Sequence, residues 1–199
     1  ILERIVQKLV GHGVRDIAIS VNYLADMIVD HFGDGAGFGC SITYLHELQD
    51  QPLGTGGSLA LLEDAGIRPT EPLIVMNGDV MTDVPVSDLL SFHADQESDI
   101  TVCTATYTHA VPFGVVETGA GASIISMAEK PTTSWRVNAG IYAISPHVLD
   151  RVVREVEFPI INLVDEMMSG GGRVCSYHLD SPWVDIGRPA ELKRARGEG

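Results

Sequence analysis

The sequence predicts an α/β protein with a doubly wound, mostly parallel Rossmann-like sheet and a mixed or antiparallel extension. Up to Ser98, helical and strand-like patterns alternate, as they do when helices cover both faces of a sheet. The apolar run 72–76 stops abruptly at Asn77-Gly78-Asp79, which is typical of a strand buried on both faces of a parallel sheet. After Ser98, four strand-like runs follow with little helix between them, and these runs predict the extension.

The first half of the chain supports this fold element by element. Apolar residues at helical spacing mark the helices, short apolar runs mark the strands, and glycines separate them. Thr55 or Ser58 is expected to cap the helix after the Gly-rich turn, and Ser87 the helix after it. The predicted order is helix 2–10, strand 16–21, helix 24–32, strand 41–45, Gly-rich turn 54–57, helix 59–62, strand 73–77 and helix 86–93.

The second half predicts strands that fold over the ligand-binding edge, and then a return to helices. No composition shift marks a boundary, so residues 1–199 are expected to form a single domain. The predicted elements are strands 100–107, 114–117, 123–128 and 137–144, helices 146–153 and 160–168, strand 174–179, a strand end at 183–187 and a closing helix 189–196.

Composition and charge exclude several classes of protein. The net charge of −14 repels nucleic acid and anionic membranes, and no apolar run approaches the ~20 residues that span a bilayer. The three widely separated cysteines (Cys40, Cys103 and Cys175) favour reduced core thiols and a cytoplasmic location. A small anionic ligand therefore requires local hydrogen-bond donors and a metal ion.

Two carboxylates are candidate metal ligands. Asp79 follows one predicted strand, and Asp185 ends another 106 positions later, with a glycine close to each. Ligands of open α/β sheets bind at the carboxyl ends of strands, and carboxylate oxygens suit a hard cation such as Mg²⁺. An ordinary strand-to-turn sequence without chemistry is an equally good interpretation of Asn77-Gly78-Asp79 taken alone.

Three further stretches have the residue types of a binding site. The turn 54–57 offers backbone N–H groups at a helix start, although helix entries of this kind are common. In Glu129-Lys130-Pro131, the lysine suits a phosphate and the glutamate suits sugar hydroxyls, unless the pair is a solvated turn. In 138–140, Asn138 and Gly140 indicate either close approach of a ligand or a bulge in a core strand.

Taken in order, these stretches resemble the sugar-1-phosphate nucleotidyltransferases, also called nucleotide-sugar pyrophosphorylases. The resemblance is strongest to bacterial guanylyl- and mannose-1-phosphate-type enzymes, including those linked to regulatory CBS domains. It rests on six ordered motifs across nearly the whole chain: Leu-Gly-Thr-Gly-Gly (53–57), Asn-Gly-Asp (77–79), Pro-Phe-Gly-Val-Val-Glu (112–117), Glu-Lys-Pro (129–131), Asn-Ala-Gly-Ile-Tyr (138–142) and Trp-Val-Asp-Ile-Gly (183–187).

The resemblance implies that a nucleoside triphosphate and a sugar 1-phosphate give a nucleotide sugar and pyrophosphate. The attacking phosphate oxygen is already ionised near pH 7, so no general base is expected. The roles implied motif by motif are Mg²⁺ ligands (Asp79 and Asp185), phosphate binding (Lys130), sugar contacts in the extension (Gly114, Glu129, Asn138 and Gly140) and base contacts (Gly54, Thr55 and, with Gln51 as its competitor, Gln49).

The family opens with a strand and a Gly-rich loop carrying an Arg and a Lys for the triphosphate. This chain begins at Ile1, inside what resembles the helix after that loop, so the resemblance implies a domain lacking both and poorly active as it stands. A homo-oligomer and a fused regulatory domain outside the chain are compatible with it. The second interpretation is a non-catalytic paralogue that binds sugar nucleotide and regulates a partner. The third is a nucleotide-sugar-dependent glycosyltransferase, which would usually present an Asp-X-Asp motif.

Overall fold

The computed structural model describes residues 1–48 and 50–187. Within these ranges the helices are α1 (Leu2–Gly11), α2 (Ala25–Phe32), α3 (Gly54–Gly57), α4 (Leu61–Asp64), α5 (Val86–Asp95) and α6 (Ile160–Ser169). The strands are β1 (Asp16–Val21), β2 (Ser41–His46), β3 (Leu73–Met76), β4 (Val80–Met81), β5 (Ile100–Ala110), β6 (Val115–Thr118), β7 (Ile124–Ala128), β8 (Thr132–Ile144), β9 (Val174–His178) and β10 (Val184–Asp185). The predicted closing helix 189–196 lies outside the described residues.

The strands form one four-stranded sheet and three two-stranded pairs. The four-stranded sheet has the order β3-β8-β5-β9, and β1 and β2 form a separate parallel pair. In the larger sheet β8 is antiparallel to both β3 and β5, while β9 is parallel to β5. Helices and strands therefore alternate as predicted, but parallel and antiparallel neighbours are mixed within the main sheet.

The position of β8 corrects the predicted surroundings of β3. Residues 141–144 of β8 pair with all four residues of β3, so the neighbour of β3 in the described residues is antiparallel. All four residues of β3 are half-buried, whereas the prediction buried this strand on both faces. The end of β8, predicted as part of the extension, thus lies inside the main sheet.

Helices cover both faces of this sheet. On one face α5 packs through Leu89 against a core that includes Cys103 and Ile141. On the other face α6 packs through Leu163 against a core that includes Ile100 and Tyr142. A third core joins α1 and α2 to the β1–β2 pair. This arrangement is the doubly wound architecture that the alternating pattern predicts.

All three cysteines are free, but only Cys103 is the core thiol that the sequence predicts. Cys103 is fully buried, and burial raises the pKa of its thiol to about 12. Cys40 and Cys175 are half-buried. Among the helices of the described ranges, none is both long and apolar enough to cross a membrane.

Several local predictions are wrong at the helix ends. Neither Thr55 nor Ser58 caps the helical stretch that follows residue 53, and Ser87 lies inside α5 rather than before it. Leu24, predicted as the first residue of the second helix, precedes α2 instead; its φ is 56° and its side chain is exposed. The predicted helix 146–153 is a 3₁₀ segment, Pro146–Arg151.

Residues 106–138 form an extended arm that leaves the body of the protein. The arm contains the outer ends of β5 and β8 and, between them, the β6–β7 hairpin. Every residue of the arm is exposed or half-buried, so this arm has no core of its own. It corresponds to the predicted extension.

Candidate active site

Asp79 and Asp185 are held together by the pairing of two short strands. Asp79 immediately precedes β4, and Asp185 ends β10, which pairs antiparallel with β4 through Asp185 opposite Val80. The backbone N–H of Ile186 donates to the backbone O of Asp79 at 3.0 Å. The carboxylates are therefore fixed from two remote parts of the chain on one small piece of backbone.

Gly187 marks the point at which the two side chains converge. A Cβ placed on Gly187 would lie 2.8 Å from Asp79 Oδ2 and 3.1 Å from Asp185 Oδ1. Both carboxylate oxygens thus approach the same point in space, and the absence of a side chain at Gly187 keeps that point accessible. The backbone N–H of Gly187 also donates to Asp185 Oδ1 at 2.9 Å, which orients that carboxylate.

The donor set is two carboxylates that are in part open to solvent. Asp79 is exposed and Asp185 is half-buried. The described residues contain no cluster of three or more His, Cys, Asp or Glu side chains suited to a metal ion. Mg²⁺ characteristically takes one or two carboxylates and completes its octahedral shell with water and substrate phosphates. The pair fits such an ion in chemistry and number.

Gly140 has a packing role that the sequence did not reveal. Its φ is +70°, and an added Cβ would lie 2.8 Å from Asn77 Nδ2 and 3.3 Å from Val80 Cγ2. The backbone N–H of Asn77 donates to Gly140 O at 2.9 Å. A side chain at position 140 would displace the loop that leads from β3 to Asp79, so Gly140 helps to place the candidate metal pair.

Asn138 is oriented by two internal hydrogen bonds. Its Oδ1 accepts the backbone N–H of Gly140 at 2.9 Å, and its Nδ2 donates to the hydroxyl of Tyr142 at 2.6 Å. Tyr142 is buried, and burial raises the pKa of its phenol. Asn138 itself is exposed, with one Nδ2 hydrogen left for a ligand.

Gly114 and Glu129 lie side by side at the base of the β6–β7 hairpin, where it joins the rest of the arm. A Cβ on Gly114 would be 3.1 Å from Glu129 Oε2, so the glycine makes room for that carboxylate. The next residue, Lys130, is exposed and has a φ of 46°, which is uncommon for a residue with a side chain. In the part of the chain that the structure describes, Lys130 forms no ion pair.

The Gly-rich turn is packed against the segment before α6. The N–H groups of Gly56 and Gly57 both donate to Phe158 O, at 2.9 and 2.8 Å, so the turn uses these two donors internally. Thr55 Oγ1 accepts the N–H of Ile160 at 3.3 Å, at the first residue of α6. Gly54 has a φ of +70°, and a Cβ added to it would lie 3.5 Å from the backbone of Phe158.

The structure thus brings the predicted residues together in three pairs: Asp79 with Asp185, Gly114 with Glu129, and Asn138 with Gly140. Gly54 and Thr55 are already neighbours in the sequence. Between described residues, it records no hydrogen bond or ion pair that joins Lys130 or Glu129 to the two aspartates. Gln49 lies outside the described residues.

Sequence reasoning missed the contacts that Gly187, Asn77 and Tyr142 make with the candidate site residues. All three lie inside motifs that the sequence analysis singled out, next to the residues that received roles. The signal for Gly187 was its place two residues after Asp185. No local signal pairs Asn77 with Gly140, because these residues are 63 positions apart.

Comparison with known proteins gives the family. The sequence profile described as "Nucleotidyl transferase" matches residues 1–198. The chain belongs to the nucleotidyl transferase family. This confirms the resemblance on which the sequence analysis relied.

Named relatives of this nucleotidyl transferase chain include two mannose-1-phosphate guanyltransferases. The one from Yarrowia lipolytica is 29% identical over 197 residues, and the beta-A protein from Xenopus laevis is 32% identical over 198 residues. Each match covers 94% of this chain and 52% of the relative. The chain therefore spans about half the length of the curated relatives it matches.

Solved structures confirm the Rossmann-like α/β fold. HddC from Yersinia pseudotuberculosis superimposes with a TM-score of 0.73 at 23% identity, covering 99% of this chain and 84% of that one. HddC has also been solved in complex with GMP-PN. A putative glucose-1-phosphate thymidylyltransferase from Bacillus anthracis, in complex with a sucrose, gives a TM-score of 0.70 at 24% identity, covering 96% and 79% of the two chains.

Proposed function

We propose that this chain carries the metal- and sugar-binding part of a nucleotidyltransferase that joins a nucleoside triphosphate to a sugar 1-phosphate. The products are a nucleotide sugar and pyrophosphate. One observation carries the proposal: Asp79 Oδ2 and Asp185 Oδ1 approach the same point, although they come from strands far apart in the chain. Family membership supports the class of reaction, and the carboxylate pair supports a metal ion at this place in the chain.

Asp79 and Asp185 would hold the divalent ion, which we take to be Mg²⁺. Two carboxylates in a partly open position leave most of the coordination shell to phosphate oxygens and water, as Mg²⁺ requires. The ion, when bound, offsets negative charge on the phosphates. The role of the chain is to keep the two carboxylates at fixed separation, through the β4–β10 pairing and the side-chain-free Gly187.

The reaction itself is a substitution at phosphorus. An oxygen of the sugar phosphate forms a bond to the α-phosphorus of the triphosphate, and the bond from that phosphorus to the bridging oxygen breaks. Pyrophosphate leaves with the bonding electrons. Because the nucleophile is already ionised near neutral pH, positioning and charge neutralisation supply the catalysis.

Lys130 and Glu129 would hold the sugar 1-phosphate. The ammonium of Lys130 is exposed, and it forms no ion pair with any of the described residues, so it is available to a phosphate. Glu129 lies over Gly114 and can accept hydrogen bonds from sugar hydroxyls. Asn138 and Gly140 would complete this subsite, since the internal bonds of Asn138 fix its direction.

The turn with Gly54 and Thr55 would contact the base. Its backbone is held rigidly against the segment before α6, which is the preorganisation that a selective base site needs. The names of the relatives make GTP and mannose 1-phosphate the first pair to assay. A triphosphate substrate and three free cysteines favour a cytoplasmic location.

The test is release of pyrophosphate from panels of nucleoside triphosphates and sugar 1-phosphates, measured with the protein that the complete gene encodes and with this 199-residue chain alone. We expect Asp79→Asn and Asp185→Asn each to lower kcat by roughly 100-fold or more, because an electrostatic stabiliser of the transition state is lost. Gly187→Ala is expected to lower activity as well, since its methyl group would occupy the point shared by the two carboxylates.

Gly37→Ala is the matched control, since a Cβ on Gly37 meets nothing within 4 Å. It should retain full activity. Binding of Mn²⁺ as a paramagnetic probe gives a second readout, and it should weaken in Asp79→Asn, Asp185→Asn and Gly187→Ala. Unchanged pyrophosphate release and Mn²⁺ binding in the two aspartate variants would contradict the metal site. Metal binding without any turnover by the protein that the complete gene encodes would favour the non-catalytic paralogue.

A further inference from the structure

Two hydroxyl groups join the segments of β4 and β10 at the end that lies away from the candidate metal pair. Thr82 Oγ1 lies 3.0 Å from Ser181 Oγ, and Ser181 Oγ donates to the backbone O of Asp83 at 2.8 Å. A hydroxyl group has a single hydrogen, and Ser181 gives its hydrogen to Asp83, so Thr82 is the donor in the bond between the two hydroxyls. Thr82 and Ser181 form a hydroxyl pair that connects the two segments.

The strand pairing is short for the task of holding two carboxylates at a fixed separation. β4 and β10 each contain two residues, and within the described ranges this pair shares no ladder with another strand. A two-stranded pair is at best marginally stable in water by itself. The N–H of Ile186 donates to Asp79 O at one end, and the hydroxyl pair closes the other end. The backbone that carries Asp79 and Asp185 is thus fixed at two points.

Other hydrogen bonds anchor each segment separately. Lys8 Nζ on α1 donates to Thr82 O at 2.9 Å, which holds the end of β4. Trp183 Nε1 donates to Ala139 O on β8 at 2.9 Å, which holds the start of β10. Each of these bonds fixes one segment to the body of the protein, but neither joins the two segments to each other. The short ladder and the hydroxyl pair therefore set the position of β4 relative to β10.

Burial makes this connection sensitive to the loss of either hydroxyl. Thr82 is only 6% exposed and Ser181 is half-buried. A buried polar group that loses its hydrogen-bond partner costs free energy unless the structure shifts to give it another one. Loss of the Ser181 hydroxyl would leave both Thr82 Oγ1 and Asp83 O without this partner. We expect the two segments to shift relative to each other in response.

We propose that Thr82 and Ser181 are positioning residues for the candidate metal pair. Their hydrogen bonds set the separation of Asp79 and Asp185, and thereby the affinity of the pair for a divalent cation. This inference rests on the metal site of the proposed function. Loss of a group that holds metal ligands in place typically lowers metal affinity by roughly 10–100-fold. The hydroxyl pair acts through the backbone of β4 and β10, so we expect an effect at the lower end of this range.

The test is the dissociation constant of Mn²⁺, measured by electron paramagnetic resonance on the protein that the complete gene encodes. Ser181→Ala removes the acceptor of Thr82 and the donor to Asp83 O, and it should raise this constant about tenfold. At the other position, Thr82→Val removes the hydroxyl and should also weaken Mn²⁺ binding. Thr82→Ser keeps the hydroxyl and should bind Mn²⁺ as the wild type does.

Ser134→Ala is the matched control. Ser134 Oγ lies 2.8 Å from Thr108 Oγ1, so this substitution also breaks a serine–threonine hydroxyl pair between two segments, but on the exposed arm. It should leave the affinity for Mn²⁺ unchanged. Hydrogen exchange of the metal-free protein gives a second readout, because the N–H of Ile186 donates to Asp79 O. This amide should exchange faster in Ser181→Ala and Thr82→Val, and at the wild-type rate in Ser134→Ala.

Two results would overturn the role of the hydroxyl pair. A lower melting temperature of Ser181→Ala with unchanged Mn²⁺ affinity would mean that the pair stabilises the fold without positioning the ligands. Equal Mn²⁺ affinities of Thr82→Val and Thr82→Ser would mean that the hydroxyl is not the cause.

Asp79→Asn separates a failure of this inference from a failure of the proposed metal site. If Asp79→Asn weakens Mn²⁺ binding and the variants of the hydroxyl pair do not, the positioning role is wrong and the metal site stands. If Asp79→Asn leaves Mn²⁺ binding unchanged, the metal site is wrong and the positioning role falls with it. Circular dichroism should show that the variants compared are folded.

Discussion

At the scale of single residues, glycines set the geometry around the candidate metal pair. Gly187 leaves open the point that Asp79 and Asp185 share, and Gly140 lets the loop after β3 pass close to β8. In both places the single nearest atom belongs to a residue remote in sequence, Asp79 for Gly187 and Asn77 for Gly140. The two carboxylates are the candidate metal ligands, but their separation depends on positions that carry no side chain.

Gly140→Ala is therefore expected to destabilise the fold. The substitution forces alanine into a φ of +70° and places its Cβ 2.8 Å from Asn77 Nδ2. We expect a loss of about 1–3 kcal/mol in the free energy of unfolding, the usual cost of a strained backbone conformation. Urea denaturation, followed by circular dichroism, measures it.

Gly11→Ala provides the comparison, because an added Cβ at Gly11 meets nothing within 4 Å and its φ is not positive. This variant should be as stable as the wild type or more so, since alanine favours helix. Equal stabilities of the two variants would mean that the close approach of Gly140 to Asn77 is not a constraint on folding.

The sequence could predict which residues are candidates for the chemistry, but not how they are held. Asp79 and Asp185 were identifiable because each comes at a strand end with a glycine nearby. Their meeting was a hypothesis, because β4 and β10 are two-residue strands without any local signal of pairing. Asn138 was predicted as a ligand contact, whereas its bonds to Gly140 and Tyr142 show that it also stabilises the bulge in β8.

At the scale of elements, the Gly-rich turn and α6 behave as one unit. The glycines of the turn allow backbone-to-backbone contact with residues 156–160, and Thr55 caps α6 across 105 positions of sequence. Thr55 does not cap the helix that directly follows the Gly-rich turn, as the sequence predicted, because its hydroxyl accepts the N–H of Ile160 instead. The hydroxyl of Thr55 is an N-terminal cap, but for a helix that sequence proximity could not identify.

Thr55→Val is expected to lower the free energy of unfolding by about 1 kcal/mol, since the N–H of Ile160 loses its acceptor. Thr55→Ser should retain most of the stability. Thermal denaturation measures both. Ser58→Ala serves as the control, because Ser58 Oγ reaches Thr55 O at 3.5 Å, a marginal hydrogen bond. If Ser58→Ala were as destabilising as Thr55→Val, the cap would not be the cause.

His93 connects α5 to the main sheet and makes stability depend on pH. It is 2% exposed, and its ring nitrogens lie 2.9 Å from Thr101 Oγ1 and 3.0 Å from Ser145 Oγ. Burial lowers the pKa of His93, with a smaller opposing effect from Asp99. The unfolded chain therefore binds the proton more readily than the folded protein does.

We accordingly expect stability to be full above pH ~6.5, the ordinary histidine pKa, and to fall as the pH drops from there towards the lowered pKa. His93→Gln should be less stable at pH 7 but should show a flatter dependence between about pH 7 and pH 5. His109→Gln, on the exposed arm, should keep the wild-type slope. Melting temperatures measured between about pH 7 and pH 5 test this prediction. If the stability of His93→Gln depended on pH as steeply as that of the wild type, His93 would not be the cause of the pH dependence.

Elements were predictable where their residues interact locally, and less so where partners are remote. The periodicity of α1 and α6 and the apolar run of β1 gave their positions closely. The direction and place of β8 could not be read in this way, because strand pairing between residues 73–76 and 141–144 joins segments far apart in sequence. The same holds for the 3₁₀ segment Pro146–Arg151, whose apolar spacing also fits a helix.

At the scale of the whole molecule, burial is distributed unevenly. Among the described residues, the four-stranded sheet lies between two cores that each contain ten buried residues. The core that joins β1 and β2 to α1 and α2 contains five, surrounded by side chains that are only half-buried. In the described ranges the β1–β2 pair shares no hydrogen-bonded ladder with the larger sheet. Local stability should follow this division.

Native-state hydrogen exchange should therefore resolve two levels of protection. Amides of β1 and β2 are expected to exchange through local opening at a lower free energy than amides of β3, β5 and β8, because fewer buried apolar contacts must be broken. The dependence of exchange on denaturant separates the levels, since the weaker unit opens with the smaller slope. Ile42→Ala, which removes a side chain from the third core, should accelerate exchange in β1 and β2 and leave β5 and β8 unaffected. Uniform acceleration across all five strands would instead mean that the three cores unfold as one cooperative unit.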